Sequence, residues 1–214
     1  MELTIENLIQ EAKTFSEIFS NQNHAELIGV TDGKAVGTYV EHEFQNYLNS
    51  KYDMITGCSA NGIDLPSVNT DIKTTSLTQP QSSCPFKSAR QKIFGLGYNL
   101  LVFVYNKKDT PTSCTLHITH CTFIEDKRTA DYTLTANLRN MISVNANVED
   151  IVGLLNDRNV PGDDIIYNEL AEEILTNPPE QGYLTISNAL QWRLQYKRVI
   201  GLNNSVDGVV NFVW

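Results

Sequence analysis

The sequence predicts an α/β protein with a mixed central β-sheet flanked by helices. Three observations lead to this prediction. Apolar residues recur at helical spacing in residues 4–19 and again in 34–52. "YNLLVFVYN" at 98–106 is a continuous apolar run, which is typical of a strand covered on both faces. "TLHITHCTFI" at 115–124 alternates more and reads as the next strand.

The two N-terminal segments each place an apolar stripe on one face of a helix. In the first, the stripe consists of Ile5, Leu8, Ile9, Ala12, Phe15, Ile18 and Phe19. Asp32-Gly33 breaks the chain. The second stripe consists of Val36, Val40, Phe44 and either Tyr47 or Leu48.

The rest of the chain divides into short elements. Residues 53–76 read as two or three short strands around turns at Gly57 and Pro66. A short helix is expected from Lys87 to Phe94, ended by glycines. After Arg128 the sequence turns largely helical, and "GVVNFVW" reads as a final strand. The helices are expected at about 133–143, 148–156, 163–175 and 185–198.

Length and composition limit the possible classes of protein. A chain of 214 residues suits one domain. No run reaches the roughly 18 apolar residues that a membrane span needs, and the acidic N-terminus does not resemble an export signal. The four cysteines have no CxxC spacing, which favours free thiols in a reducing cytoplasm. "HITHC" is not expected to bind zinc, because His117 and His120 would point to opposite faces of a strand.

The net charge of −9 is unevenly distributed along the chain. Residues 149–180 account for −8 of it, with nine acidic side chains and one basic, Arg158. An acidic, solvated helical face explains this block. The charge therefore argues against tight non-specific coating of DNA, but not against an enzyme with local basic patches.

The stretch "GIDLPSVNTDIKTTS" at 62–76 carries the candidate chemistry. On a strand, Asp71 and Lys73 share one face and Ile72 points into the core. A hairpin-like return through Pro66 would bring Asp64, placed on a preceding strand, beside Asp71. Two close carboxylates repel unless a cation lies between them, and Mg²⁺ prefers such hard oxygen ligands. A salt bridge on the protein surface is the alternative interpretation of "DIK" alone.

Three pieces of the sequence together resemble the PD-(D/E)XK nuclease superfamily, above all the type II restriction endonucleases. They are the helix "GTYVEHEFQNYL", then "GIDLPS", then "DIKTTS", and "DIKTT" is similar to the motif of EcoRV-like enzymes. Ile63 stands where the family often has proline. The resemblance covers the catalytic core at 34–106 and implies a restriction-endonuclease-like fold.

The resemblance also implies roles for individual residues. Asp64, Asp71 and the backbone carbonyl of Ile72 would be metal ligands, and Lys73 would orient or activate the attacking water. A helix glutamate would be a further catalytic carboxylate. Glu41 fits the pattern formed with Gly37, Phe44 and Leu48 and is preferred, whereas Glu43 lies nearer the apolar stripe.

Two basic segments are candidates for contacts with DNA. The first is the short helix with Lys87, Arg90 and Gln91, whose side chains could bind phosphates. The second lies in the C-terminal region 149–214, where 185–198 is expected to be the reading helix of a helix-turn-helix. Its candidate side chains are Gln191, Arg193, Gln195, Lys197 and Arg198. Ordinary solvent-facing helices are the alternative for both segments.

The function predicted from these features is a site-specific type II restriction endonuclease that hydrolyses double-stranded DNA with Mg²⁺. It would form one domain, act as a cytoplasmic homodimer, and have a cognate DNA methyltransferase as genetic partner rather than bound subunit. Two alternatives stay open. One is another nuclease on the same scaffold: a repair nickase, a junction resolvase or a modification-dependent nuclease. The other is a DNA-binding module without catalysis.

Overall fold

The computed structural model describes residues 2–53, 62–85, 87–187, 192–203 and 206–214. It confirms the mixed α/β class, with a central mixed sheet and flanking helices. The chain divides into two compact units. The first contains Met1–Ser82, Tyr98–Ile124 and Ile200–Trp214, and the second contains Ser83–Gly97 and Glu125–Val199.

The regular elements follow one another in mixed order along the described chain. The α-helices are α1 (Ile5–Ser20), α2 (Gly33–Asn49), α3 (Arg90–Phe94), α4 (Tyr132–Ser143), α5 (Val148–Asp157), α6 (Asp164–Thr176) and α7 (Lys197–Ile200). The strands are β1 (Thr70–Ser76), β2 (Gln81–Cys84), β3 (Asn99–Asp109), β4 (Cys114–Ile124), β5 (Thr185–Ile186), β6 (Trp192–Gln195) and β7 (Val209–Val213). Most boundaries lie within a few residues of those predicted from periodicity.

The first unit is built on a four-stranded sheet in the order β1-β3-β4-β7. β1 runs parallel to β3, with Asp71 opposite Leu100 and Lys73 opposite Val102. β3 and β4 are antiparallel, as are β4 and β7. Among the described strands, β1 therefore lies at the edge of this sheet, and on its other side Thr70 pairs with Leu65 in a single bridge. The carboxylates discussed below lie at this edge.

The core of the first unit confirms the predicted stripe of α2 and most of that of α1, although Ile5 and Ile18 of the α1 stripe are exposed. Phe15 of α1 lies 5.0 Å from Phe44 of α2 and 5.7 Å from Phe103 of β3, measured between ring centroids. Leu48 is fully buried, whereas Tyr47 packs at the margin of this core. α1 starts where Thr4 accepts a hydrogen bond from the Asn7 N–H. α2 starts where Asp32 accepts one from the Lys34 N–H.

The second unit packs α4, α5 and α6 around its own apolar core, which includes Leu138, Leu155 and Ile174. Its buried Asp131 joins two elements. One carboxylate oxygen accepts from the Leu134 N–H and caps α4, and the other accepts from the Ile186 N–H in β5. Strands β2, β6 and β5 form a small sheet in that order.

The structure contradicts the helix predicted at 185–198. β5 and β6 occupy Thr185–Ile186 and Trp192–Gln195, and α7 is a single turn. The physical reason is a period of two: Trp192, Leu194 and Tyr196 are buried, while the residues between them are exposed. Tertiary burial of these alternate apolar side chains overrides the helix propensity of Leu, Gln and Arg. The helix-turn-helix interpretation was therefore wrong, and the C-terminal region 149–214 contains strands as well as helices.

The strand predicted to carry Asp64 is also corrected. Asp64 lies in a bend, and only Leu65 forms a single antiparallel bridge, with Thr70. The turn expected at Pro66 is present as a 3-10 helix over Pro66–Val68. The turn expected at Gly57 lies outside the described residues.

Smaller predictions can be compared with the described residues as well. Cys114 and Cys121 are free, buried thiols, Cys84 is a buried cysteine, and Cys58 lies outside the described residues. Among described residues, no group of three or more His, Cys, Asp or Glu side chains forms a preassembled metal site, at "HITHC" or elsewhere. No described helix is long and apolar enough to cross a membrane.

Candidate active site

A tight turn in front of β1 brings Asp64 to the edge of the sheet. The N–H of Leu65 donates to the Thr70 carbonyl at 2.9 Å, and the N–H of Thr70 donates back at 3.1 Å. Asn69 closes the turn in the left-handed conformation, with φ of 47°, which asparagine tolerates better than most residues. The hairpin-like return expected from the sequence is therefore present, although it contains a single bridge rather than a strand.

The Asp64 carboxylate binds the free edge of β1. Its Oδ2 accepts a hydrogen bond of 2.7 Å from the main-chain N–H of Ile72. The N–H and C=O of one strand residue point to the same side of the strand. The Ile72 carbonyl therefore faces the same open edge as Asp64, while the Ile72 side chain is buried in the core.

Asp71 and Lys73 extend from the face of β1 opposite to the Ile72 side chain. Lys73 Nζ lies 2.6 Å from Asp71 Oδ2. The Asp71 side chain is only 6% exposed and that of Lys73 is 24% exposed. Asp71 is therefore buried, whereas the alternative interpretation of "DIK" expected a salt bridge on the protein surface.

Helix α2 supplies the third carboxylate. Gly37 packs over Thr74 of β1, where an added Cβ would lie 3.7 Å from the Thr74 carbonyl oxygen. Glu41 follows one helical turn later on the same face. It interacts with Asp64 by charge and hydrogen bonding, and with Lys73 and Asp71 by charge. Glu43 instead lies near His24 and Tyr39 and contributes to their electrostatic environment.

The pKa values of two carboxyl groups reflect this crowding. Burial raises the pKa of Glu41 to about 7, and the nearby charge of Asp64 adds to the rise. Burial also raises the pKa of Asp71 to about 7; Lys73 opposes this rise, and a hydrogen bond with Asp64 adds to it. Both carboxyl groups interact with Asp64, and raised pKa values are the behaviour of carboxylates that share a small site.

The chemistry of these groups fits a hard divalent cation. The three carboxyl groups and the Ile72 carbonyl are all oxygen donors, and carboxylates with raised pKa values gain most from a nearby positive charge. Mg²⁺ takes only one or two carboxylates from a protein and fills its other positions with water or phosphate. A preassembled cage of three or more acidic side chains is therefore not required. Asp64 and Asp71 could provide the one or two carboxylates that Mg²⁺ takes from a protein.

Comparison with known proteins identifies the family. The family model described as "Type II restriction enzyme NspV" matches residues 2–211. The type II restriction enzyme NspV of Nostoc sp. (strain ATCC 29411 / PCC 7524) is 53% identical over 210 residues, covering 97% of this chain and 96% of that protein.

The chain belongs to the type II restriction enzyme NspV family. It is accordingly a site-specific restriction endonuclease, which decides against the non-catalytic alternative. Among solved structures, the chain resembles the crystal structure of the tetrameric restriction endonuclease SfiI bound to cognate DNA. The TM-score is 0.41 at 10% identity, covering 97% of this chain and 79% of that one. A likeness this distant carries no conclusion about the site.

Two of the three residues predicted to contact DNA from the first basic segment bind other residues of this NspV-family chain. Arg90 forms a two-pronged ion pair with Glu173, with Nη2 to Oε1 at 2.6 Å and Nε to Oε1 at 2.9 Å. Gln91 donates to the Leu96 carbonyl at 2.7 Å. Lys87 is exposed. The structure thus gives Arg90 and Gln91 intramolecular partners that the sequence did not indicate.

The residues of the second basic segment lie in different elements, because 185–198 does not form one helix. Arg193 and Gln195 are exposed on β6, and Lys197 is exposed at the start of α7. Arg198 lies 3.8 Å above the Tyr132 ring, measured from Cζ to the ring centroid, and so packs on its own unit. Gln191 lies outside the described residues.

Two hydroxyl side chains have roles that were not predicted. Thr75 Oγ1 lies within hydrogen-bond distance of the carbonyls of Gln79 and Gln81 and accepts from the Gln81 N–H, which fixes the turn between β1 and β2. This hydroxyl therefore stabilises the turn. Ser83 on β2 accepts a hydrogen bond from Arg193. The sequence around Ser83 does not indicate this contact.

Proposed function

We propose that this restriction endonuclease hydrolyses phosphodiester bonds of double-stranded DNA in a magnesium-dependent reaction, using a PD-(D/E)XK site. One observation carries the proposal: Glu41, Asp64 and Asp71 converge at the edge of β1 beside Lys73. The motif "DIKTT" at 71–75 supplies two of these residues. The name of the 53% identical relative, a type II restriction enzyme, supports this assignment of the reaction class.

Asp64, Asp71 and the Ile72 carbonyl would hold the magnesium ion. When bound, the ion would stabilise negative charge on the phosphate being cleaved and lower the pKa of the attacking water. The open edge of β1 supports this ligand set, because both the Ile72 carbonyl and the Asp64 carboxylate lie along it. Lys73 lies beside this ligand set, paired with Asp71.

Lys73 is proposed to hold the attacking water or a phosphate oxygen. Its ammonium group lies at the site, partly exposed, and is positioned by Asp71. A charged donor directed at developing negative charge stabilises the transition state more than the ground state. Glu41 is proposed as an outer carboxylate that orients water or a second cation, since its raised pKa lets it take or release a proton near pH 7.

The assembly and products follow from the same proposal. Cutting both strands of a symmetric site requires two active sites, so we propose a homodimer with two-fold symmetry. The expected products carry 5′-phosphate and 3′-hydroxyl ends. A cytoplasmic location and a cognate methyltransferase encoded separately complete the proposal.

Digestion of genome-sized DNA with Mg²⁺, followed by sequencing of the ends, tests the proposed function. The expected result is a set of double-strand ends that share one short sequence and one stagger. Nicks in one strand only would favour a nickase on the same scaffold. Binding of DNA without any cleavage in Mg²⁺ or Mn²⁺ would overturn the proposed reaction.

A further inference from the structure

Strands β5 and β6, here called the β5–β6 ribbon, are two neighbouring strands of the small sheet β2-β6-β5 and have one apolar and one polar face. Thr185 pairs with Gln195, and Ile186 pairs with Leu194. Side chains of paired residues lie on the same face of an antiparallel ladder. Leu194 and Ile186 are buried, so Gln195 and Thr185 lie on the opposite, outward face.

The polar face continues for one more pair toward the end of the ribbon. The Ser187 N–H donates to the Arg193 carbonyl at 3.2 Å, and the Arg193 N–H donates to Ser187 Oγ at 3.0 Å. Arg193 and Gln195 are exposed, and Ser187 and Thr185 are partly exposed. One face of the ribbon therefore presents a guanidinium, an amide and two hydroxyl groups, which are the groups that bind base edges.

Ser83 of β2 positions the Arg193 side chain. Ser83 Oγ accepts a hydrogen bond of 2.9 Å from Arg193 Nη1. Within the described part of the chain, this partner of the Arg193 guanidinium is a neutral hydroxyl. Arg90 and Lys127, by contrast, are paired with Glu173 and Glu180. Arg193 therefore keeps its charge and most of its five donors for an external ligand.

The charge of the surrounding segments complements an anionic ligand. Within the second unit, residues 83–97, which include the end of β2, and residues 181–199, which include β5 and β6, contain no aspartate or glutamate. The whole chain nevertheless carries 25 acidic residues. The two acid-free segments contain the basic residues Lys87, Arg90, Lys92, Arg193, Lys197 and Arg198. Nucleic acid is attracted to such a region despite the acidic total.

We propose that the polar face of the β5–β6 ribbon reads base edges of the target DNA, with Arg193 and Gln195 as specificity-determining residues and Ser83 as the positioning residue for Arg193. The proposal rests on the proposed function, since it assumes a DNA substrate. Strands of a sheet can read a DNA groove in place of a recognition helix. The Arg193 guanidinium can donate two hydrogen bonds to O6 and N7 of one guanine, and the Gln195 amide has the donor and the acceptor that match N7 and N6 of adenine.

The test measures binding and cleavage on the target site, once end sequencing of the parent protein has defined it. The DNA probes are the target duplex, duplexes with single substituted base pairs, and an unrelated duplex, all at one salt concentration with Ca²⁺. For Arg193→Ala and Arg193→Lys, we expect target affinity to fall about 5- to 150-fold, with discrimination lost at one base pair. Gln195→Ala should relax a different base pair. Ser83→Ala should weaken the Arg193-dependent discrimination without changing binding to unrelated DNA.

Arg158→Ala is the matched control, because it removes the same charge from the acidic segment 149–180 and should leave discrimination intact. Arg193→Lys keeps the charge, so loss of discrimination in this variant separates base reading from phosphate binding. Equal weakening on target and unrelated DNA would overturn the proposal, as would full discrimination by all ribbon variants. These failures differ from failure of the proposed function, which the parent protein would reveal by not cutting DNA.

Discussion

The main-chain N–H of Ile72 donates a hydrogen bond of 2.7 Å to Asp64 Oδ2 at the free edge of β1. The same carboxylate interacts with Glu41 and Asp71. Asp64 thus satisfies an edge-strand amide and shares a crowded acidic site. Two substitutions of Asp64 can separate its effect on the stability of the protein from its effect on DNA cleavage.

Asp64→Asn and Asp64→Ala should both abolish cleavage but differ in stability. Asparagine keeps a carbonyl oxygen for the Ile72 N–H, whereas alanine leaves this donor without its acceptor. We expect alanine to lower the free energy of unfolding by about 1 to 3 kcal/mol more than asparagine does. Urea unfolding of the three proteins measures this difference. Equal destabilisation by both substitutions would show that the hydrogen bond does not stabilise the edge of β1.

Glu41→Gln and Glu43→Gln form a matched pair on helix α2. Each removes one negative charge from the same helix, but only Glu41 interacts with Asp64 and Lys73. We expect Glu41→Gln to slow cleavage by about 10- to 100-fold, as for residues that support metal ligands. Glu43→Gln should cut within about twofold of the parent. Single-turnover cleavage rates with Mg²⁺ compare the two, and the reverse order would assign the catalytic role to Glu43.

The raised pKa values predict how stability without metal depends on pH. Glu41 and Asp71 have pKa values of about 7 in the folded protein, above the ordinary values of 4.5 and 3.8. The folded state therefore binds more protons than the unfolded state between about pH 4 and 7. The stability contributed by these two groups is fully present below pH 4 and is lost as the pH rises through 7.

Thermal unfolding at a series of pH values, with EDTA and with Mg²⁺, measures this linkage. In EDTA, Glu41→Gln should flatten the loss of stability between pH 5 and 8, because the substituted amide does not titrate. Stabilisation by Mg²⁺ should grow as the pH rises through 7, since the cation needs ionised carboxylates. A Mg²⁺ effect that is independent of pH would contradict the assignment of Glu41 and Asp71 to the site.

Asp131 should be the most sensitive capping residue of the second unit. It is buried and accepts hydrogen bonds from Leu134 and Ile186. Asp131→Ala leaves both N–H groups without this acceptor, and we expect a loss of about 2 to 4 kcal/mol in the free energy of unfolding. Asp163→Ala removes a similar helix cap at an exposed site and should cost about 1 kcal/mol. Denaturant melts of the two variants compare them, and equal losses would contradict the structural role of Asp131.

Local patterns predicted the first unit well. The stripe of α2, most of the stripe of α1 and the long apolar strand β3 were confirmed, because burial on one or both faces leaves a strong pattern in the sequence. The spacing of Asp64 and Asp71 indicated a return of the chain, and the bridge between Leu65 and Thr70 provides it. A bend rather than a strand carries Asp64, because Pro66 and Asn69 close the turn immediately.

The second unit shows what local patterns missed. Residues 185–198 combine good helix formers with an alternation of Trp192, Leu194 and Tyr196 that indicates a strand. The two signals compete, and packing of the alternate apolar side chains decides between them. The contact from Arg193 to Ser83 joins residues far apart in the chain. Such contacts depend on tertiary structure and cannot be read from spacing along the sequence.

The most direct test of the central claim is the rate of Mg²⁺-dependent cleavage by Lys73→Ala. Lys73 pairs with Asp71 at the site, whereas Lys108 is an exposed lysine of β3 in the same unit and provides the matched control. We expect Lys73→Ala to cut about 100- to 1,000-fold more slowly than the parent while binding the target normally with Ca²⁺. Lys108→Ala should cut at the parent rate. If Lys73→Ala cuts as fast as the parent, the catalytic site is not at Asp64, Asp71 and Lys73.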